Sequence, residues 1–288
     1  MPTIVGTVPE ADFPLTYGEV NIKGRDMYIG ERKVAVNRGT PALAAAAFHT
    51  ANALGGKRPR AYLVGDIGLG DGSRELYAWL SENLAHTEHE TIVFHYLQPD
   101  VDWQFKILKA ANNMPRKPTL IADAGFMYAA KMSGLAGEYD LFTPDIGELA
   151  FLADEQAPHP FYTRGFILHE DQDAKKLIEL AYKHNNAAKH MLVKGSADLI
   201  VNENAVLHEI DSPGCEHMEA IGGTGDTVTG TVSAFIASGM PIAEASRRAA
   251  LINRWAGKIT SPTPATQILD IAKNIDKACE KVLGQLRA

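Results

Sequence analysis

An α/β fold, doubly wound about a mostly parallel central sheet and flanked by helices, is what this sequence predicts. Three observations carry that expectation. Short apolar runs alternate with longer amphipathic ones through the middle of the chain; two short β-type runs near residue 204 read as an edge hairpin; and a glycine-rich stretch, IGGTGDTVTG (221–230), opens directly onto an apolar helix.

Residues 1–38 read as an atypical lead-in with short strands, where MYIG and KVAVN straddle the polar GER like a hairpin. PALAAAAFHTANAL follows as an Ala-rich helix stopped by Gly55 and Gly56. Next come AYLVGDI, SRELYAWLSENL, TIVFHYL, WQFKILKAANN and TLIADAG, which alternate as strand, helix, strand, helix, strand. Such alternation implies right-handed crossovers between parallel strands.

YDLFTP supplies a further strand and IGELAFLA the helix behind it. Residues 153–170, rich in Pro and aromatics, read as an irregular segment that fits a lid, an oligomer contact or a plain surface loop. DAKKLIELAYKHNN is an amphipathic helix. HMLVKG, DLIVNE and AVLHEI are strands, the last two joined as an antiparallel hairpin by NEN. Helices near 225–238, 241–257 and 265–286 close the chain. No repeat or low-complexity linker interrupts the pattern, so residues 1–288 are expected to form one domain.

Composition narrows the function classes. Hydrophobic residues make up 45% and charged residues 22%, the balance of a globular protein with an ample core. The net charge of −7 disfavours nucleic acid and anionic membrane surfaces, both of which need clustered positive potential. A small-molecule substrate is the expected partner. Cys215 and Cys279 are the only cysteines and lie far apart, which suits a reducing, cytoplasmic setting. No apolar run reaches the roughly 18 residues needed to span a bilayer.

The chemistry concentrates at residues 221–230. Glycines at 222, 223 and 225 let backbone N–H groups turn toward one point, and the following helix aims its positive end there, which suits a phosphate. Asp226 at the junction is then a candidate general base, although the same pattern fits a plain cap on a tight turn. Neither a P-loop nor a dinucleotide fingerprint is present. His86 and His89 in AHTEHE lie one helical turn apart and read as a solvated face rather than a metal site, and Cys215 and His217 form no known zinc spacing.

Read in order, NRGTPALAAAA, VGDIGLGDG, LIADAG, FTPDIGELAFL, LVKGSADLIV and IGGTGDTVTG resemble the ribokinase-like superfamily, and within it the ATP- or ADP-dependent NAD(P)H-hydrate dehydratases. The resemblance spans residues 38 to about 257. It implies a nucleotide-dependent reaction in which a hydroxyl of the hydrated nicotinamide ring is phosphorylated and phosphate is lost. Small-molecule kinases of the same fold, or a non-catalytic nucleotide-binding protein, share the same motif. Residue by residue it implies Asp226 as the base, and Gly223, Thr224 and Gly225 as the anion hole. Lys194, Gly195 and Ser196 would face the nucleotide. Gly39, Thr40, Gly68, Gly70, Asp123 and Asp145 would line the substrate pocket, and Glu148 would stand near magnesium. A homo-oligomer is implied by the resemblance alone. Three of these residues also have simpler readings: Lys194 as a snorkelling side chain, Asp123 as a helix cap and Glu148 as an exposed first-turn acid. Two acids depart from the family pattern. Asp145 stands where the family has histidine, and Asp66 in GDIGLG is expected near the same pocket, which would suit a cationic or hydroxyl-rich substrate.

Overall fold

The computed structural model describes residues 1–157 and 173–284. Its strands are β1 (Pro2–Val8), β2 (Thr16–Lys23), β3 (Asp26–Ile29), β4 (Arg32–Val34), β5 (Arg60–Gly65), β6 (Thr91–His95), β7 (Thr119–Ala122), β8 (Leu141–Phe142), β9 (His190–Val193), β10 (Asp198–Asn202) and β11 (Ala205–Ile210). All belong to one sheet in the order β11-β10-β9-β8-β7-β6-β1-β5-β2-β3-β4. The central strands β9, β8, β7, β6, β1 and β5 run parallel, while β2–β4 and β10–β11 extend the edges antiparallel.

The helices are α1 (Thr40–Ala53), α2 (Asp71–Asn83), α3 (Val101–Asn112), α4 (Gly125–Met132), α5 (Ile146–Ala153), α6 (Ala174–Lys183), α7 (Thr224–Ala237), α8 (Ile242–Thr260), α9 (Ile268–Lys273) and α10 (Ile275–Gly284). One core joins α1 and α7–α10 to the sheet through residues such as Leu43, Val232, Phe235 and Ile4; the other joins α2–α6 through Leu76, Phe126, Leu152 and Val5. Adjacent residues Ile4 and Val5 thus point into opposite cores, as the two-residue side-chain period of a strand requires.

This places the N-terminus differently from the lead-in read from sequence. Residues 2–8 form the middle of the parallel sheet, hydrogen-bonded to β5 and β6 on either side. A strand buried on both faces shows no polar alternation, so TIVGTV carries no periodic signal of a central element. The hairpin downstream forms as β3 and β4 around Gly30 and Glu31. The edge hairpin at Asn202–Ala205 also forms, its turn tied by Asn202 Oδ1 accepting from the N–H groups of Asn204 and Ala205. The single helix read over 265–286 is two, α9 and α10, broken at Asn274, whose side chain bonds Thr260 Oγ1 and Asp270 O. Most of the irregular segment 153–170 lies outside the described residues.

His89 does not form a solvated face with His86. The short turn Leu84–His86 ends before it, and His89 is buried beneath β1, its ring nitrogens 2.9 Å from Thr3 Oγ1 and 3.3 Å from Tyr62 Oη. Burial, helped by the Arg60 charge, pushes its pKa down to about 4 from 6.5. Between those two values the unfolded chain binds more protons than the folded one, so His89 stabilises the fold fully above about pH 6.5 and progressively less as pH falls to about 4. The expected loss across that window is about 3 kcal/mol. Urea unfolding of wild type and His89→Gln at the two ends of the window checks this: the variant lacks that part of the acid-side loss.

Candidate active site

The winding direction reverses at β1, with β5 on one side and β6 on the other, and ligands of open α/β sheets collect outside the carboxyl ends of the strands at such a point. A cavity of about 620 Å³ opens to one side of that point, beyond the carboxyl ends of β6, β7, β8 and β9. Its lining brings together ten of the residues singled out by sequence: Asp123, Asp145, Glu148, Lys194, Gly195, Ser196, Gly223, Thr224, Gly225 and Asp226. Gly39 and Thr40 stand directly behind Asp226 rather than on the cavity wall, and Gly68 and Gly70 lie apart from it.

Helix α7 begins at Gly223, whose φ of 101° lies in the left-handed region that glycine occupies without penalty. That turn aims the N–H groups of the first helical turn into the cavity. Asp226 is the third residue of the helix. It does not cap the helix, since α7 has no side-chain cap. Its Oδ2 instead accepts the Gly39 N–H at 2.6 Å, where α1 begins, and its Oδ1 lies 3.1 Å from His95 Nε2. Burial alone would raise the Asp226 pKa; the His95 hydrogen bond, the Lys194 charge and the Gly39 N–H outweigh it and hold the carboxyl below its ordinary value.

Behind this carboxylate lies a second polar chain. Asp123, at the end of β7, accepts from Lys194 Nζ at 3.0 Å and from Thr229 Oγ1 at 2.6 Å, and Thr229 reaches Thr143 Oγ1 at 3.0 Å. Asp123 is not the N-cap of α4; Ala124 holds that position without a side-chain bond. Burial would lower the Lys194 pKa, yet the neighbouring Asp123, Glu148, Asp145 and Asp226 keep it above the ordinary lysine value. Lys194 is therefore a fixed cation packed beside Gly225, not a snorkelling surface side chain. His95, Asp123 and Asp226 offer ligand atoms within 4.8 Å of one another, the spacing of a metal site, but the Lys194 ammonium already supplies positive charge to Asp123.

Asp145 and Glu148 form a capping box at the start of α5. Asp145 Oδ1 accepts the Glu148 N–H at 2.8 Å, and Glu148 Oε2 accepts the Asp145 N–H at 2.8 Å. Tyr128 Oη donates to the other Glu148 oxygen at 3.3 Å. Burial raises the Glu148 pKa, with Asp145 and Asp123 pushing the same way and Lys194 opposing. Glu148 is thus a constrained, half-buried acid rather than an exposed first-turn residue. Gly195 donates to Asp198, and Arg254 clamps the carbonyls of Gly195 and Ser196 at 3.0 and 2.8 Å while pairing with Asp198.

The expectation that Asp66 adds a second acid to the pocket fails. Both its oxygens turn onto the following loop and the start of α2, accepting from the N–H groups of Gly68, Gly70 and Ser73 and from Ser73 Oγ, at 2.7–3.0 Å. These bonds overcome the effect of burial and lower its pKa, so Asp66 is an anion consumed by its loop. With it, Gly68 and Gly70 become parts of a self-contained turn before α2, which Gln98 bridges by donating to the Gly68 carbonyl at 2.9 Å.

Sequence reasoning missed His95, Tyr96 and Gly6. His95 ends β6 and is fully buried; Tyr96 stands half-exposed on the cavity wall, its ring edge-on to His95 at 4.5 Å. Gly6 lies in the middle of β1, where a Cβ would collide with the His95 carbonyl and come 2.5 Å from Thr40 Oγ1. A glycine inside a strand pattern and a histidine at a strand's carboxyl end were the available signals.

With this geometry in place, residues 98–277 match the family described as NAD(P)H-hydrate dehydratase. The chain belongs to that family. The uncharacterized protein MJ1337 of Methanocaldococcus jannaschii is 43% identical over 221 residues, 76% of this chain and 90% of that protein. Among solved structures the chain is similar in fold to a ribokinase-like superfamily protein (EF1790) of Enterococcus faecalis, at 15% identity and a TM-score of 0.59, covering 97% of this chain and 86% of that one. It is similar also to the pyridoxal kinase of Staphylococcus aureus solved with ADP, at 13% identity and a TM-score of 0.56, covering 90% and 88%. Phosphofructokinase-2 of Escherichia coli, solved with fructose-6-phosphate, gives 14% and 0.55, covering 97% and 99%. The hydrate-dehydratase match includes Asp123, Asp145, Glu148, Lys194 and Asp226. Gly6, Gly39, Thr40 and His95, which surround Asp226 from the N-terminal side, fall outside the matched span. No helix among the described residues is long and apolar enough to cross a membrane.

Proposed function

We propose that this dehydratase-family chain is an enzyme that transfers the terminal phosphoryl group of ATP or ADP to the hydroxyl of a hydrated nicotinamide nucleotide, after which phosphate departs and the reduced ring is restored. The observation that carries the reading is Asp226, an ionised carboxylate held at the mouth of the α7 N-terminal turn, in the cavity and beside backbone donors. Family membership supplies the substrate class, and the solved kinases of the same fold include an ADP complex.

The chemistry follows from the arrangement. Asp226 takes the proton as the substrate oxygen attacks the terminal phosphorus; the bond from that phosphorus to the bridging oxygen breaks, and the nucleotide leaves one phosphate shorter. N–H groups of Gly223, Thr224 and Gly225 face the oxygens on which negative charge accumulates. Lys194, Gly195 and Ser196 lie where the nucleotide would enter, with Lys194 offering fixed positive charge. Phosphate then leaves with the substrate's C–O electron pair as a proton leaves the adjacent carbon, regenerating the double bond. The oxygen-only donor pair Glu148 and Asp145, with the Glu148 pKa raised by burial and by the Asp145 and Asp123 charges, suits a hard cation. Magnesium held there would neutralise phosphate charge. Gly39 holds Asp226 by its N–H, and Thr40, buried behind His95, acts on the substrate side through His95 and Asp226.

Asp145, where the family carries histidine, favours a second reading: a small-molecule alcohol kinase whose product keeps its phosphate. An acid on the wall disfavours an anionic dinucleotide. A panel of hydrated NADH, hydrated NADPH and small alcohols, assayed with magnesium ATP and magnesium ADP for nucleotide consumption and free phosphate, separates the readings. Phosphate release with recovery of the reduced-nicotinamide absorbance is the expected result. A phosphorylated product without free phosphate selects the kinase, and nucleotide binding without consumption of any acceptor rejects both.

A further inference from the structure

We propose that His95, with Thr40 behind it, is a positioning residue: its Nε2–H fixes the Asp226 carboxylate so that an oxygen lone pair stays aimed at the substrate hydroxyl. The proposal rests on the reading of Asp226 as the base, and goes beyond it by assigning the group that makes Asp226 a base of defined orientation.

The geometry is a buried line of three side chains. Thr40 Oγ1 lies 3.0 Å from His95 Nδ1, and His95 Nε2 lies 3.1 Å from Asp226 Oδ1. A carboxylate only accepts hydrogen bonds, so the Asp226 contact requires a proton on Nε2. In the neutral ring Nδ1 is then an acceptor, and the Thr40 hydroxyl is the donor that fits it. His95 has no accessible surface and Thr40 is 1% exposed, so neither touches substrate, and a nucleophilic role for the Thr40 hydroxyl is excluded by the same burial. Asp226 alone carries the line to the cavity.

Two donors hold the carboxylate from different elements: His95 from the end of β6 on Oδ1, and the Gly39 N–H from the start of α1 on Oδ2. With one bond on each oxygen, rotation about the last side-chain torsion is blocked, while each oxygen keeps a second acceptor direction. Asp123 Oδ2, 3.8 Å from His95 Nε2, is the competing acceptor; it is already engaged by Lys194 and Thr229, which leaves the imidazole proton to Asp226. The whole line depends on the absence of a side chain at Gly6, which backs both Thr40 and the His95 carbonyl. Misplacing a reacting group by about 1 Å costs on the order of 10²-fold in rate, which sets the scale for losing such a support.

Two measurements test it. Long-range proton–nitrogen spectra of the His95 ring in wild type, with and without magnesium ATP, should show the proton on Nε2; a ring protonated only at Nδ1 overturns the proposal whether or not any variant folds. In parallel, ADP release from magnesium ATP is followed with the accepted acceptor of the panel above, or with water alone. His95→Leu should lower kcat by about 10²-fold with KM for nucleotide nearly unchanged, while His95→Gln, whose amide donor reaches the Nε2 position, should recover most of it. Equal losses in Leu and Gln variants, or a loss confined to KM, overturn the proposal. Asp226→Asn run alongside keeps the two claims apart: full turnover in that variant rejects the base, whereas a dead Asp226→Asn with an indifferent His95→Leu rejects only the positioning role.

Discussion

Asp226→Asn is expected to keep its fold and its nucleotide affinity while losing on the order of 10²-fold or more in kcat, the scale for removing a general base. Asparagine matches aspartate in shape, and its amide oxygen can keep the short bond from the Gly39 N–H. Its amide N–H₂ then faces His95 Nε2, which the imidazole accommodates by moving its proton to Nδ1 and donating to Thr40 Oγ1 instead. The site stays satisfied but has no group to receive the substrate proton. Thermal melting, nucleotide titration and single-turnover rates measured on one preparation check all three parts, and an unchanged rate rejects the assignment.

Gly6→Ala, the addition of a single methyl group, is expected to lower stability and turnover together. The new methyl would press on the His95 carbonyl, which is backbone, and on Thr40 at 2.5 and 2.8 Å, with no flexible chain end to yield. Relief requires β1 to move away from β6 or α1 to lift, and either shift displaces partners of Asp226. Overpacking of this kind costs about 3 kcal/mol. Chemical denaturation should show that loss, and turnover at a temperature where the variant is still folded should fall as well. Wild-type stability together with wild-type turnover would show that the sheet absorbs the methyl and that the line through Thr40 and His95 is not held from behind by Gly6.

Much of the architecture was legible in the order of residues. The alternation from AYLVGDI to TLIADAG forms the parallel strands and covering helices it implied, and the NEN turn closes the edge hairpin, because local periodicity and turn chemistry are properties of short windows. Legibility ended where burial on both faces erases periodicity, as in β1, and where a side chain breaks a helix through a distant partner, as Asn274 does through Thr260. The site followed the same division. GGTGD announced a turn and a carboxylate before a helix, and ten candidate residues converge on one cavity. Asp66 looked equivalent in sequence to a pocket acid, yet its four donors all come from the loop that follows it and the first turn of α2.

By itself, then, the sequence determined the sheet-and-helix alternation, the glycine turn that exposes α7's N-terminal donors, and the identity of the acid placed there, since all of these depend on residues close together in the chain. Only the tertiary structure decided what surrounds that acid. Gly39, His95 and Lys194 reach Asp226 and its neighbours from separate elements. Whether a carboxylate is a solvated cap, a metal ligand or an oriented base depends on which donors and charges stand within a few ångströms of it, and those are assembled by the packing of β6, β9, α1 and α7.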